Sequence, residues 1–381
     1  MADKTFTFNK FSGVNNRSDP KDLGADEFVV GENVDLNDNK KALLRAGTTS
    51  VYSGDIHSLW SQGNLCFFVE GTALKRLVRD SAGTYTTSTL RNDMTPGAEV
   101  SYTYVNGDVY YSNIHVNGMI RNGVNRAWGV EVPGAQPTLS ATAGGLASGT
   151  YQIAITFVDS DGREGGAVLA APITTSGGVT LTGIPVSTDS DITSVRIYMT
   201  TQNGDTFYRA KTVANGTTTT SITTGIFTIL LVTQFLSVPP LGSIVRYCNG
   251  RVYVVVQDAI YESEPFSYHL FNIRKGFYQF AENVGMLAPV EDGAYVSADK
   301  LYWIPFGMED PPRKHLGDYK AIPRTDVVAD GEDIGKGSGA VYTYFFTDKG
   351  YCLGGPGGAF KNLTNSKLSP APATSGAGSL Q

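Results

Sequence analysis

Little in this chain of 381 residues repeats with a helical period. Only Pro20 to Glu32, with Asp22, Leu23, Asp26, Glu27, Phe28 and Val29, has the spacing of one short helix. That scarcity argues against a helical bundle and against alternating strand–helix units. Cysteine is equally sparse: Cys66, Cys248 and Cys352 lie far apart, each inside a strand-like run, without metal-ligand spacing and in odd number. They read as buried thiols of a reducing compartment rather than as disulfides or a zinc site. Charged residues make up only 17%, and the 30 Lys and Arg are scattered against 36 Asp and Glu, a net charge of −6. No basic stripe exists to neutralise a row of phosphates, so sequence-specific reading of DNA is not expected. The most apolar stretch, Ile226 to Val238, is too short for a bilayer of roughly 30 Å and reads as a buried strand pair or a core-crossing connector. Met1-Ala-Asp-Lys-Thr-Phe6 lacks a basic region followed by an apolar run, so Sec-type export is not expected.

What the chain has in abundance is glycine (44), tyrosine (20) and phenylalanine (18), set among Thr, Ser, Val and Asn. Aromatic and β-branched residues suit a pleated surface, and Gly or Asn supplies turn dihedrals, so the composition is that of an all-β protein. From Ile56 the apolar runs alternate with glycine turns: Ile56 to Trp60, Leu65 to Val69, Leu74 to Val78 and Tyr85 to Leu90. Four strands in about 35 residues make one antiparallel sheet the size of a propeller blade. A similar unit follows from Val100 through Val109 to Tyr111 and Met119-Ile120 to Ala127–Val130, offset by about 42 residues from the first. Three more begin near Ile244, Asp292 and Val341, giving about five blade-like units.

Between these groups, Pro137 to about Thr223 is of another kind. Tyr151 to Val158, the turn Asp159-Ser-Asp161-Gly162, Val179 to Thr182, Ser194 to Tyr198 and Phe207-Tyr208 alternate strictly, bounded by Pro133–Pro137 and Pro239-Pro240. This resembles a fibronectin- or immunoglobulin-like sandwich inserted into the propeller. The expected organisation is a 1–50 N-terminal arm and first strand, a first arc of propeller blades over 51–134, the sandwich over 135–240, a second arc of blades over 241–364, and a flexible tail over 365–381.

No constellation of catalytic, cofactor-binding or metal-ligating residues emerges, and the chain is not expected to be an enzyme. His57, His115, His269 and His315 pair with no second ligand at metal spacing. Asp159-Ser-Asp161-Gly162 starts like a calcium loop but lacks the later ligands, so it reads as a hairpin turn. Glu262 and Glu264 have the i, i+2 spacing of a carboxylate pair yet more simply end a strand. Gly354-Gly355-Pro356-Gly357-Gly358 precedes no helix and reads as a flexible turn rather than a phosphate cradle. Tyr102, Tyr104, Tyr110, Tyr111, Trp303 and Tyr342 suit core and inter-blade packing better than a carbohydrate platform.

The opening carries the one specific resemblance. Phe11-Ser-Gly13-Val14-Asn15-Asn16-Arg17-Ser-Asp19-Pro20, then Asn33-Val34-Asp35-Leu36, then Leu44-Arg45-Ala46-Gly47, resembles the N-terminus of the β-propeller tail proteins of tailed bacteriophages, nozzle or hub components of the virion. Ala46 departs from that pattern, whose members often carry Arg or Pro before the glycine. The resemblance implies an arm lying over the propeller and a Leu-Arg-x-Gly strand entering it. It also implies a structural role: a homo-oligomeric ring in the virion tail, assembled in the bacterial host cytoplasm, docking the tail adaptor or connector and fibre proteins, passing genomic DNA non-specifically, with no membrane insertion and no cofactor. The alternatives are a receptor- or glycan-binding tail protein (an adhesin) and, less strongly, a glycan hydrolase.

Overall fold

The computed structural model describes residues 10–37, 39–225, 227–306, 311–337, 339–364 and 367–378. Met1–Phe6, on which the reading about export rests, lies outside them, as do Ile226 and the last three residues of the tail. The protein is all-β. Among the described residues the one helical element is a 3-10 turn at Pro356–Gly358. The chain forms two compact units, one of residues 56–82 and 86–279, the other of residues 1–55, 83–85 and 280–381.

In the first unit, three blade-like sheets run up and down in chain order. The first joins Ile56–Gln62, Leu65–Glu70, Ala73–Arg79 and Tyr85–Arg91; the second joins Ser101–Val105, Asp108–Ser112, Asn117–Arg121 and Val124–Arg126. The third joins Ile244–Cys248, Arg251–Val256, Ala259–Glu264 and Ser267–Phe271, with Phe277–Gln279 added beside Ala259–Glu264. The hairpins close where Asn-Gly pairs occur: Asn106-Gly107, Asn122-Gly123 and Asn249-Gly250 all have positive φ. Left-handed dihedrals at both positions define the turn whose twist matches that of paired strands, and Asn followed by Gly adopts it at least cost.

Apolar faces of consecutive sheets share cores. Phe67, Val69, Leu74, Tyr102, Val109 and Tyr111 join the first sheet to the second. Tyr110, Met119, Trp128, Val252, Val254 and Phe271 join the second to the third. Ala127–Val130, expected as a strand, is instead a linker that delivers Trp128 into this second core. There the indole donates to the Tyr268 carbonyl (2.8 Å) and its ring lies 5.3 Å from Tyr110 and 6.0 Å from Phe271.

The segment between the second and third sheets folds as two facing sheets around one core. One has the order Thr138–Thr142, Gly178–Thr182, Thr219–Ile222; the other Glu164–Leu169, Ile153–Asp159, Ile192–Thr200, Phe207–Ala214. Ile153, Ile155 and Phe157 meet Val179, Leu181, Val195 and Ile222 between them. The strand order departs from the immunoglobulin pattern, in which the first strand pairs with the second. Here Thr138–Thr142 pairs with Gly178–Thr182, and Thr219–Ile222 takes the opposite side of that strand.

Residues 227–238 are not a buried strand pair. Val232 and Phe235 are 77% and 62% exposed, while Ile229 and Leu231 exchange backbone bonds with Arg209 and Phe207, Phe227 packs on Tyr208 and Leu231 lies against Ala154 and Tyr198. Apart from single bridges, Leu230 with Tyr208 and Ser237 with Phe271, the stretch runs as a connector outside the sheets.

In the other unit, Met286–Val290, Gly293–Ser297, Leu301–Ile304 and Lys314–Gly317 form one four-stranded sheet, and Val327–Asp330, Val341–Thr347, Gly350–Gly355 and Ala359–Asn362 the next. Met286, Tyr295, Leu301, Phe345 and Cys352 pack between them. Pro20–Glu32 forms no helix. Asp19 accepts the Lys21 N–H through its side chain and the Asp22 N–H through its carbonyl, which closes a turn, and Glu27–Phe28 pairs in parallel with Gly13–Val14. The Leu-Arg-x-Gly segment does not join a blade: Ala42–Leu44 pairs only with Val34–Leu36, and Arg45 closes this small hairpin on Asp35 (2.7 Å). The tail is not loose over its described residues. Lys367 reaches Glu27 (2.8 Å), Ser369 N–H donates to Asn16, and the Gly376 and Gly378 N–H groups donate to Pro323 and Arg324 carbonyls.

Gly354-Gly355 is a fitted piece of the last core rather than a flexible turn. The Tyr295 hydroxyl sits between the Gly355 and Ala359 carbonyls (2.8 and 2.7 Å), and a Cβ on Gly354 would stand 2.4 Å from the Tyr295 ring. Overpacking of that kind costs about 1–3 kcal/mol. Gly354→Ala therefore lowers the urea-unfolding stability of the purified protein by that amount, whereas Gly335→Ala, at a turn with open space around it, costs only its backbone strain.

Candidate functional site at the junction of insert and second sheet

A group of interlinked charged side chains lies where the sandwich meets the second sheet. It is built on the turn that the sequence marks as Asp159-Ser-Asp161-Gly162. Asp159 folds the turn on itself: one carboxylate oxygen accepts the Asp161 and Arg163 N–H groups (3.0 and 2.8 Å), the other the Arg163 Nε (2.7 Å). Gly162 holds a positive φ of 79° that completes the reversal. The segment is thus a hairpin turn, as its composition suggests, but one that also serves as an anchor.

Arg163 extends from the turn to the linker, donating to the Trp128 carbonyl (2.9 Å) and lying against the Met119 sulfur (3.2 Å). Asp161 faces the second sheet, accepting from Arg121 (2.6 Å) and Arg126 (3.1 Å). Arg121 is itself clamped by Asp108 through two bonds of 2.9 and 2.5 Å. Behind the turn, Glu164 takes Arg196 (2.5 Å), the Tyr198 hydroxyl (2.6 Å) and the Thr156 hydroxyl. The next two residues are glycines because backbone passes over them: a Cβ on Gly165 would meet the Val130 carbonyl at 2.6 Å, and one on Gly166 the Leu236 carbonyl at 2.0 Å. The linkers into and out of the sandwich therefore cross the same strand.

His269, on the third sheet, hydrogen-bonds the Glu164 backbone at this junction, and burial together with the nearby Arg163 charge pushes its pKa down to about 4. A cavity of about 560 Å³ opens alongside, lined among others by Arg91, Asn117, Arg126, Trp128 and Glu131. Arg91 is held there by Asp93, at 2.5 and 2.6 Å, and by the Tyr111 hydroxyl at 2.9 Å. Asp108, Asp159, Asp161 and Glu164 are each met by an arginine, so the chemistry the cluster performs is positioning.

The other residues weighed in the sequence are dispersed. His57, in the first sheet, contacts Ser58 (2.9 Å), His115 sits in a loop organised by Asn113, and His315 lies 3.6 Å from Asp318. No group of three potential metal ligands occurs among the described residues. Glu262 accepts from the Tyr278 hydroxyl (3.0 Å) and faces Arg251 (3.5 Å); its burial raises its pKa. Tyr102, Tyr110 and Tyr111 are buried, Trp303 and Tyr342 are half-buried, and Tyr104 is exposed. All three cysteines are free; Cys248 and Cys352 are buried and Cys66 half-buried. Sequence reasoning missed the roles of Arg121, Arg126 and Arg163. The available signal was two acidic residues on one turn with arginines spaced along a neighbouring hairpin, but nothing in linear order brings residue 121 to residue 161.

No protein-family model matches the chain, and no curated protein matches it. Solved structures give distant likenesses. The WD40 β-propeller domain of Doa1 is 8% identical with a TM-score of 0.29, over 82% of this chain and 83% of that one. Apo AztD from Citrobacter koseri is 9% identical with a TM-score of 0.30, over 81% and 71%. No helix among the described residues is long and apolar enough to cross a membrane.

Two outcomes test the junction. Arg163→Ala leaves Asp159, whose side chain is 3% exposed, with backbone donors but no countercharge, and costs about 3 kcal/mol in urea unfolding. Asp161→Asn, at a pair about 30% exposed, costs no more than about 1 kcal/mol. His269 has a folded pKa below its unfolded value of 6.5, so its contribution is complete above pH 6.5 and is lost as pH falls towards 4. Comparing unfolding of the parent and His269→Gln at pH 7 and pH 5 should show the parent losing up to about 2 kcal/mol more than the variant.

Proposed function

We propose that this protein is a structural component of a bacteriophage tail, of the nozzle or hub type, assembling as a homo-oligomeric ring around the channel through which the genome leaves. In this reading the five blade-like sheets, four of them four-stranded and one five-stranded, serve as propeller blades interrupted by a module that is immunoglobulin- or fibronectin-like in its facing sheets though not in its strand order, and the role is geometric. Blades set the bore, while the arm and the module contact neighbouring subunits, the adaptor or the fibres. A net charge of −6 without a basic stripe suits a wall past which DNA slides without sticking.

The observation that carries the reading is the arm. Its motif residues are structural: Asn15 organises Arg17 and Ser18, Asn16 holds the tail at Ser369, and Phe11 packs on Phe28 at 5.8 Å. Beyond them the Val34–Leu36/Ala42–Leu44 hairpin leaves Leu43 50% and Leu44 87% exposed. A two-stranded hairpin is marginal in water and gains stability by laying its apolar side on another surface. In a ring that surface belongs to the next copy, because a heterologous contact must close on itself. The clamped junction supports the same role, since a module that bears load between subunits needs a fixed mount.

Light scattering and negative-stain electron microscopy of the purified protein test this. The expected result is a closed ring of defined mass that Leu43→Asp/Leu44→Asp disperses to monomers, with the circular dichroism spectrum unchanged because both side chains are exposed on the single chain. A monomer at micromolar concentration, together with virions that bind no antibody to the protein, would overturn the proposal.

A further inference from the structure

Between the first and second sheets lies a cavity of about 370 Å³ unrelated to the junction, lined by Leu65, Phe67, Arg76, Gly107, Val109, Ile120, Asn122 and Gly123. Both Asn-Gly hairpin turns of the second sheet border it, through Gly107 and through Asn122-Gly123. Arg76 enters from the third strand of the first sheet, where it pairs in register with Phe67. Its Nε is shielded from solvent and has no hydrogen-bond partner. The guanidinium lies against the bare turn: a Cβ on Gly123 would fall 2.8 Å from its Nη1. Other partly buried arginines of this unit, such as Arg91, Arg121, Arg163 and Arg196, each have a carboxylate. The lining of this cavity contains none.

A shielded guanidinium Nε without an acceptor is costly, and a planar two-oxygen acceptor is the group that matches the fork of Arg76, which is half-buried. We propose that this cavity is a binding site for a carboxylate carried on a short apolar stem, with Arg76 taking the carboxylate and Leu65, Phe67, Val109 and Ile120 the stem. A single guanidinium amid apolar walls suits a carboxylate better than a phosphate, which calls for donors on several sides. The carboxylate is that of a free small acid or of an acidic side chain on a partner chain. The site stands independently of the assembly role.

Calorimetric titration of the full chain with glutarate, with inorganic phosphate and with a blocked Ala-Glu-Ala peptide tests the assignment. Glutarate or the peptide should bind at one site per chain. Arg76→Gln should weaken that binding about tenfold or more. Asn122→Asp, which keeps a residue tolerant of the turn and sets a like charge at the mouth, should weaken it several-fold with the circular dichroism spectrum unchanged. Binding of the peptide as tight as that of glutarate assigns the carboxylate to a partner chain; binding of glutarate alone assigns it to a free acid. The proposal falls if neither carboxylate binds, if Arg76→Gln and Asn122→Asp bind as the parent does, or if phosphate binds more tightly than both.

Discussion

A sheet of four or five strands, each three to seven residues long, cannot bury both of its faces by itself, and this constraint governs the molecule. Each blade-like sheet presents aromatic and β-branched side chains that become a core only against the next sheet. Tyr111 belongs to the core shared with the first sheet, while its neighbour Tyr110 points the other way into the core shared with the third. That alternation makes one strand serve two interfaces, so a one-residue slip in register would exchange them. The Asn-Gly turns matter for this reason, because their fixed length and left-handed dihedrals pin register.

The sandwich obeys the same constraint internally, with its own core, and so poses a separate problem of attachment. Apolar burial is not what holds it at the turn that meets the second sheet. There Asp161 takes Arg121 and Arg126, and Arg163, held by Asp159, donates to the Trp128 carbonyl. Ion pairs and charge-assisted bonds are directional where apolar contact is not, so they fix an orientation as well as a distance. Trp128 links the two systems, its ring packed in the core between the second and third sheets and its carbonyl in the grip of Arg163. The glycines at 165 and 166 complete the mount by admitting the crossing linkers.

Much of this was legible in linear order. Strands such as Leu65–Glu70, Gly293–Ser297 and Val341–Thr347 stand where period-two alternation and glycine turns place them, because in a hairpin protein pattern and partner are neighbours in sequence. The failures share a cause. Pro20–Glu32 has helical spacing, but Asp19 offers its carboxylate to the backbone and a turn results. The stretch after Ile226 is apolar enough for a core, yet it meets neighbouring strands only at single bridges, Leu230 with Tyr208 and Ser237 with Phe271. Tail residues 367–378 are poor in apolar side chains and still find backbone acceptors on distant loops.

The sequence by itself determined the local grammar: all-β character, most strand positions and turn chemistry. These follow from interactions between residues a few positions apart, whose energies depend on side-chain type and spacing alone. Tertiary structure decided which strand of the sandwich lies beside which, that the acidic turn seizes arginines some 40 residues away in the chain, and that Arg76 is left facing a cavity whose lining holds no carboxylate. Electrostatic partnership and burial depend on distance in space, and composition and periodicity carry no measure of that distance.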